Sequence, residues 1–197
     1  MNTIVYLHGF RSSPASVKAT QFRDAVALLP VELRPQLHVP DLMFSPATAI
    51  RMVAAWVESH SGPGRLTFVG SSLGGFYATH LAERFEARAV LINPAINPQL
   101  ALQPWLGAQT NLHTGEPFEV TPAHFDELAA LRIARITQPV RYFLLVETGD
   151  EVLDYREAVV FYGGGYQYVR GGGDHAFCEF VTQIPAILRF AGVGIHP

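Results

Sequence analysis

A short, nearly unbroken apolar run, Leu66-Thr67-Phe68-Val69, passes straight into Gly70-Ser71-Ser72-Leu73-Gly74-Gly75 and then into the helical pattern of Phe76–Phe85. A strand, a sharp glycine-flanked turn and a helix in immediate succession leave few ways to fold. The helix must return across the face of the sheet its strand has just left, so a right-handed crossover and a parallel neighbour are required. The turn has the spacing G-x-S-x-G. The residue at its centre sits on a sharp bend, and the positions two before and two after it must be small for strand and helix to approach. Gly70 and Gly74 meet that need and place Ser72 at the tip as a candidate nucleophile. Ser71 occupies the variable position and is expected to point aside.

The rest of the chain repeats this alternation. Strands are predicted at Thr3–His8, Gln36–Val39, Leu66–Val69, Ala89–Ile92, Val140–Glu147 and Tyr166–Arg170. Between them, Phe22, Val26 and Leu29, and likewise Ile50, Ala54 and Val57, recur at i, i+4 and i+7 and give each helix one apolar face. Ser13-Pro14, Ser45-Pro46 and Thr121-Pro122 read as helix starts, a hydroxyl cap followed by a proline that loses nothing at the first helical position. Alternating strands and helices predict an α/β chain with a mostly parallel sheet and helices on both faces. Chemistry in such sheets gathers at the carboxyl ends of the strands. The interval from Asn93 to Gln138 shows no clear strand and reads as a lid or insertion segment within a single domain spanning residues 1–197.

A serine hydroxyl needs a base. Eight histidines are available, at 8, 38, 60, 80, 113, 124, 175 and 196. His175 follows the last strand in Gly171-Gly172-Gly173-Asp174-His175, where flexible glycines let the ring swing toward Ser72. His8, closing the first strand, is expected to hydrogen-bond its own loop. His113 and His124 fall in the insertion, where they are expected to be solvated. The acid that orients His175 should follow the preceding strand, which places Asp150 of Thr148-Gly149-Asp150 in the role. Asp154 reads instead as a helix cap, Glu147 is still strand, and Asp174 adjoins His175 too closely. Two backbone N–H groups, those of Leu73 and Phe10, are placed to hold an oxyanion, with Gly9 allowing the approach. Cys178, the single cysteine, reads as core packing in an apolar helical stretch.

Composition narrows the alternatives. The 197 residues are 49% hydrophobic and 16% charged with a formal net charge of −3, which excludes global disorder. Lys+Arg of 14 against Asp+Glu of 17, without a basic cluster, argues against nucleic acid as a partner. No apolar stretch reaches membrane-spanning length, no leader is evident at the N-terminus, and a cytoplasmic location is expected. No metal-ligand spacing is present, so no metal is expected, and a serine nucleophile with its base requires no organic cofactor.

Taken together, Tyr6-Leu7-His8-Gly9-Phe10, Gly70-Ser71-Ser72-Leu73-Gly74-Gly75, Gly149-Asp150-Glu151-Val152-Leu153-Asp154-Tyr155 and Gly173-Asp174-His175-Ala176-Phe177 resemble the α/β-hydrolase superfamily, most closely the small bacterial esterases of the YqiA type. Asn93-Pro94-Ala95 and the segment around Thr114-Gly115 extend the resemblance over nearly the whole chain. It implies about six strands in the order 2-1-3-4-5-6, a Ser72–Asp150–His175 triad, and hydrolysis of carboxylic esters and acyl-CoA thioesters. A peptidase or carbon–carbon hydrolase with the same triad, and a binding protein on the same scaffold, are the alternatives. For the substrate, Leu100, Leu102, Trp105 and Leu106 of the insertion are expected to line an acyl pocket. Arg11 and Lys18 are candidates to meet the phosphates of acyl-CoA.

Overall fold

The computed structural model describes residues 1–194. Its elements follow in the order β1 (Thr3–Leu7), α1 (Val17–Ala27), β2 (Gln36–His38), α2 (Pro46–His60), β3 (Leu66–Ser71), α3 (Leu73–Arg84), β4 (Arg88–Ile92), α4 (Pro98–Ala101), β5 (Gly107–Thr110), β6 (Pro117–Val120), α5 (Pro122–Ala130), β7 (Tyr142–Glu147), α6 (Tyr155–Phe161), β8 (Tyr166–Arg170) and α7 (Phe180–Phe190). Six strands form one parallel sheet in the order β2-β1-β3-β4-β7-β8. With the insertion strands β5 and β6 set aside, this is the 2-1-3-4-5-6 order. No helix among the described residues is long and apolar enough to cross a membrane.

Alternation along the central strands builds two cores. Val5 and Leu7 of β1, Phe68 of β3, Leu91 of β4 and Leu144 and Val146 of β7 face one way, against Val53 and Val57 of α2 and Leu81 of α3. Ile4, Tyr6, Val69, Val90, Ile92 and Leu145 face the other, against Phe22 and Val26 of α1 and Phe180, Ile184 and Ile187 of α7. Strands covered on both faces favour apolar residues at most positions, hence the near-continuous apolar runs at β3 and β7. Tyr6, Phe22 and Phe180 close the second core as a ring cluster with centroids 5.8–6.5 Å apart.

Two helix starts behave as their sequences predict. Ser45 caps α2, its Oγ accepting from the Thr48 N–H at 3.2 Å. Thr121 precedes α5, and its own N–H donates to His124 Nδ1 at 3.0 Å, which gives His124 a capping task. Ser13-Pro14 does not begin α1. Ser13 Oγ accepts from the Ala15 N–H at 3.1 Å and its carbonyl from Ser16, so the pair forms a turn and the helix starts four residues later at Val17. A serine that bonds the backbone two residues on makes a turn as readily as a cap, and here the turn prevails.

The insertion also departs from expectation. Gly107–Thr110 and Pro117–Val120 pair antiparallel as a hairpin, β5-β6. Neither strand carries a β-branched alternating pattern. The hairpin is held instead by tertiary contacts: Phe118 stacks on Phe44 at 3.9 Å and meets Phe10 edge-on at 5.8 Å. Cys178 is likewise misread from its apolar neighbours. It lies exposed in the turn before α7, because Phe177 and Phe180 on either side take the buried positions.

Replacing Ser45 by Ala should lower the unfolding free energy by about 1 kcal/mol. Ser16→Ala should cost less than about 0.5 kcal/mol, because the Ser16 side chain caps nothing at α1. Urea unfolding of both variants checks the contrast; equal losses would contradict the assigned caps.

Candidate active site

β3 runs out at Ser71, and the next residue turns hard. Ser72 has φ 55° and ψ −121°, a conformation that a side-chain-bearing residue adopts at a cost of roughly 1–3 kcal/mol. Its backbone is fixed on both sides. The Ser72 N–H donates to the Ile92 carbonyl at 3.0 Å, and its own carbonyl accepts from Gly75 at 2.9 Å and Ala95 at 3.1 Å. The approach of turn to sheet leaves no room for side chains. A Cβ at Gly74 would lie 2.0 Å from the Leu7 carbonyl oxygen, and one at Gly70 would lie 2.1 Å from the Gly74 oxygen. Ser71 is buried, while the half-buried Ser72 opens on a cleft of about 540 Å³.

The loops after β7 and β8 deliver the other two polar groups. His175 Nε2 lies 3.1 Å from Ser72 Oγ, and His175 Nδ1 lies 2.9 Å from Asp150 Oδ2. The Asp150 side chain is 1% exposed and held in place by the Val152 and Leu153 N–H groups, which donate to Oδ1 at 2.8 and 2.9 Å. Burial pushes the Asp150 carboxyl up, but the hydrogen bonds from His175, Leu153 and Val152 outweigh it and hold it below the usual carboxylate range. The ionised carboxylate can only accept, so Nδ1 carries the proton and the Nε2 lone pair faces the Ser72 hydroxyl. The sequence therefore names three residues that the fold brings into one hydrogen-bonded line.

The competing groups have other tasks. Asp154 caps α6 through the Arg156 N–H at 3.0 Å. Glu151 accepts the His175 N–H at 3.0 Å. His8 is buried, with Nε2 accepting from the Leu42 N–H at 3.2 Å and Nδ1 facing the Gly9 carbonyl at 3.1 Å. Burial lowers its pKa, as expected for a ring satisfied in the neutral form. His113 lines the cleft. His196 lies outside the described residues. Among those residues no group of three or more His, Cys, Asp or Glu side chains is arranged to hold a metal ion.

The Phe10 and Leu73 N–H groups find no hydrogen-bond partner among the described residues, and both residues border a small recess beside the Ser72 turn. Leu73 is also the first residue of α3, where the helix dipole favours negative charge. Of the residues expected to contact the substrate, Arg11 borders the recess shared by Phe10 and Leu73, and only Lys18 lines the larger cleft. Leu102 packs against the α2/α3 core, Leu106 is 54% exposed, and Trp105 lies edge-on to Phe10 at 6.1 Å. Arg11 covers the Trp105 ring at 4.9 Å and donates to the Thr110 carbonyl at 3.0 Å, which ties it to the hairpin. None of Leu102, Trp105, Leu106 and Arg11 lines the cleft that Ser72 and His175 share. That cleft is walled by Val17, Lys18, Gln21, His113, Glu151 and Phe177.

Two residues that anchor the His175 loop escape sequence reasoning. Asn93, at φ 40° and buried at the end of β4, donates from Nδ2 to the Asp174 and His175 carbonyls at 2.9 and 3.2 Å. Its Oδ1 accepts the Glu147 N–H at 3.0 Å. Glu147, 0% exposed, accepts the Asp174 N–H at 2.9 Å and Arg170 Nη1 at 2.8 Å. A Cβ at Gly173 would strike its carboxylate, at 2.0 Å from Oε2. A glutamate closing the apolar run Phe143-Leu144-Leu145-Val146 was the available signal, since a charge is buried only with partners. Burial raises the Glu147 pKa, yet the Asp174 N–H, Arg170 and Cys178 outweigh it and the carboxyl titrates below its ordinary value.

Asp150 and Glu147 both have lower pKa values folded than unfolded. The stability they add is complete above the unfolded carboxyl pKa of about 4 and is lost as pH falls through the lower folded values. Glu147→Gln should cost roughly 2–3 kcal/mol at pH 7, a broken buried pair moderated by the solvent reach of Arg170. It should also flatten the acid limb of Tm against pH. Thermal unfolding of both proteins from pH 7 to 3 checks this; parallel curves would contradict it.

Comparison with known proteins places this geometry in a wider setting. Alpha/beta hydrolase domain-containing protein 10 from mouse superposes with a TM-score of 0.72 at 16% identity, covering 96% of this chain and 89% of its own. The esterase domain of a Rhodothermus marinus protein gives 0.69 at 16%, covering 96% and 86%, and the Paleococcus ferrophilus monoacylglycerol lipase 0.69 at 14%, covering 96% and 93%. At such identities the likeness is one of fold, and the fold is that of the α/β hydrolases. Residues 3–192 match UPF0227, described as an uncharacterised protein family, so the chain belongs to the UPF0227 family and carries the α/β-hydrolase fold.

Proposed function

We propose that the protein is a serine hydrolase of carboxylic esters and acyl-CoA thioesters, working through an acyl-enzyme. The observation that carries this reading is the unbroken hydrogen-bonded line from Asp150 through His175 to Ser72, ending at a strained serine on an open cleft. The same fold in proteins named as an esterase domain and a monoacylglycerol lipase agrees with it.

The chemistry follows from the positions. His175 Nε2 takes the proton of Ser72 as Oγ attacks the acyl carbonyl, and the carbonyl electron pair moves onto oxygen. The Phe10 and Leu73 N–H groups hold that oxyanion, at little reorganisation cost because the backbone of the two turns already fixes both donors. Collapse of the adduct breaks the bond to the departing oxygen or sulfur, which takes the proton from His175. A water then gives its proton to His175, attacks the acyl-enzyme, and releases the acid as Ser72 recovers its proton. Asp150, kept ionised, holds the tautomer that makes both proton transfers possible.

Ser72→Ala should abolish turnover of p-nitrophenyl butyrate, a loss on the order of 10⁶ in kcat, while Ser71→Ala retains most of it. Asp150→Asn should lower kcat by roughly 10³–10⁴ by favouring the wrong His175 tautomer. Asp154→Asn should act mainly on stability. An active Ser72→Ala enzyme, or a larger kinetic loss at Asp154 than at Asp150, would contradict the mechanism.

A further inference from the structure

The reaction above requires His175 to hand a proton to the departing oxygen, so the leaving group must sit on the His175 side of Ser72. That side is the cleft of about 540 Å³, ample for a drug-sized group. Its wall includes the first turn of α1, and one cation stands there. Lys18 is half-buried, and its Nζ donates to the carbonyl of Ala176, the residue after His175, at 2.7 Å. An ammonium has three donors, and this bond uses one.

No carboxylate lies within ion-pairing distance of Lys18 among the described residues. Burial lowers its pKa, against the more distant pull of Asp174, Glu147 and Asp150. A partly desolvated charge without a direct counter-ion is held at a cost that an incoming anion would offset. Its surroundings supply further hydrogen-bonding groups: the side chains of Ser12, Ser16 and Gln21 line the same cleft and make no hydrogen bond among the described residues. Glu151 provides the opposite charge in the cleft, its carboxylate accepting the His175 N–H at 3.0 Å. The cleft is thus polarised, positive at α1 and negative beside His175.

The geometry points to Lys18 as the residue that selects substrates whose leaving group carries an anion, a carboxylate or a phosphate. This rests on the hydrolase reading above. The role differs from that of a structural pin for the His175 loop. A pin serves every substrate alike, whereas a charge contact favours only substrates that complete it.

Three acetyl esters with related phenol leaving groups separate these cases: methyl 4-acetoxybenzoate (neutral), 4-acetoxybenzoate (carboxylate) and 4-acetoxyphenyl phosphate. Measuring kcat/KM for wild type, Lys18→Met and Lys18→Arg on all three cancels differences in leaving-group reactivity. In Lys18→Met the loss on at least one anionic ester should exceed the loss on the neutral ester by roughly tenfold, the effect of one charged hydrogen bond. Lys18→Arg should restore most of that preference. Whichever anion shows the larger change identifies the source. Equal losses on all three esters, or a preference unchanged by Lys18→Met, would overturn the proposal while leaving the hydrolase reading intact. If wild type cleaves none of the three, or cleaves them no better than Ser72→Ala, both readings fall. Melting temperatures of the variants keep a folding defect from being mistaken for lost recognition.

Discussion

Everything at the functional end of this molecule depends on how closely the turn after β3 approaches β1 and begins α3. The Gly74 α-carbon sits so near the Leu7 carbonyl that a methyl group there would overlap it, and Gly70 is pressed in the same way against Gly74. That contact forces Ser72 into its positive-φ turn, and bonds to Ile92, Gly75 and Ala95 hold it there. The strain is therefore sustained by the centre of the sheet, the part of a parallel α/β domain least able to relax. β1 and β4 flank β3, so the loops leaving both strands arrive beside Ser72: His8-Gly9-Phe10 on one side and Asn93-Pro94-Ala95 on the other.

A second constraint acts on the far side of the cleft. The loop that carries His175 contains three glycines and would wander without an anchor. A buried carboxylate, Glu147, and a buried amide, Asn93, tie it to the ends of β7 and β4. Neither bonds the side chains that form the line from Asp150 to Ser72, yet both determine where that line ends. The stability of the sheet edge and the aim of the histidine are thus one problem. Arg170, at the end of β8, joins it by pairing with both Glu147 and Glu179.

Much of this was legible in the chain. The central strands were readable because β3, β4 and β7 are covered on both faces and are therefore largely apolar. The line of Ser72, Asp150 and His175 was readable because each follows a strand and a glycine, in chain order. What was not legible depends on contacts distant in sequence. The β5-β6 hairpin has no alternating pattern and is stabilised by Phe118 on Phe44 and Phe10, whose numbers differ by more than seventy. Leu102, Trp105 and Leu106 are apolar and close to the site in sequence order, but periodicity cannot tell which side of Ser72 an insertion will cover. Cys178 sits among apolar residues and is nevertheless exposed, since a tight turn sends Phe177 and Phe180 inward and leaves the thiol outside. Asn93 and Glu147 were present as exceptions, a polar residue after one strand and a charge ending another, and only their partners explain them.

The central claim is that Ser72 becomes covalently acylated in turnover. Treatment with a fluorophosphonate, followed by intact mass and peptide mapping, tests it without assuming any natural substrate. The account predicts one adduct per chain, on Ser72, formed far more slowly when Asp150 is changed to Asn. Absence of an adduct on folded protein, or an adduct on Ser71 or Cys178 with Ser72 unmodified, would contradict it.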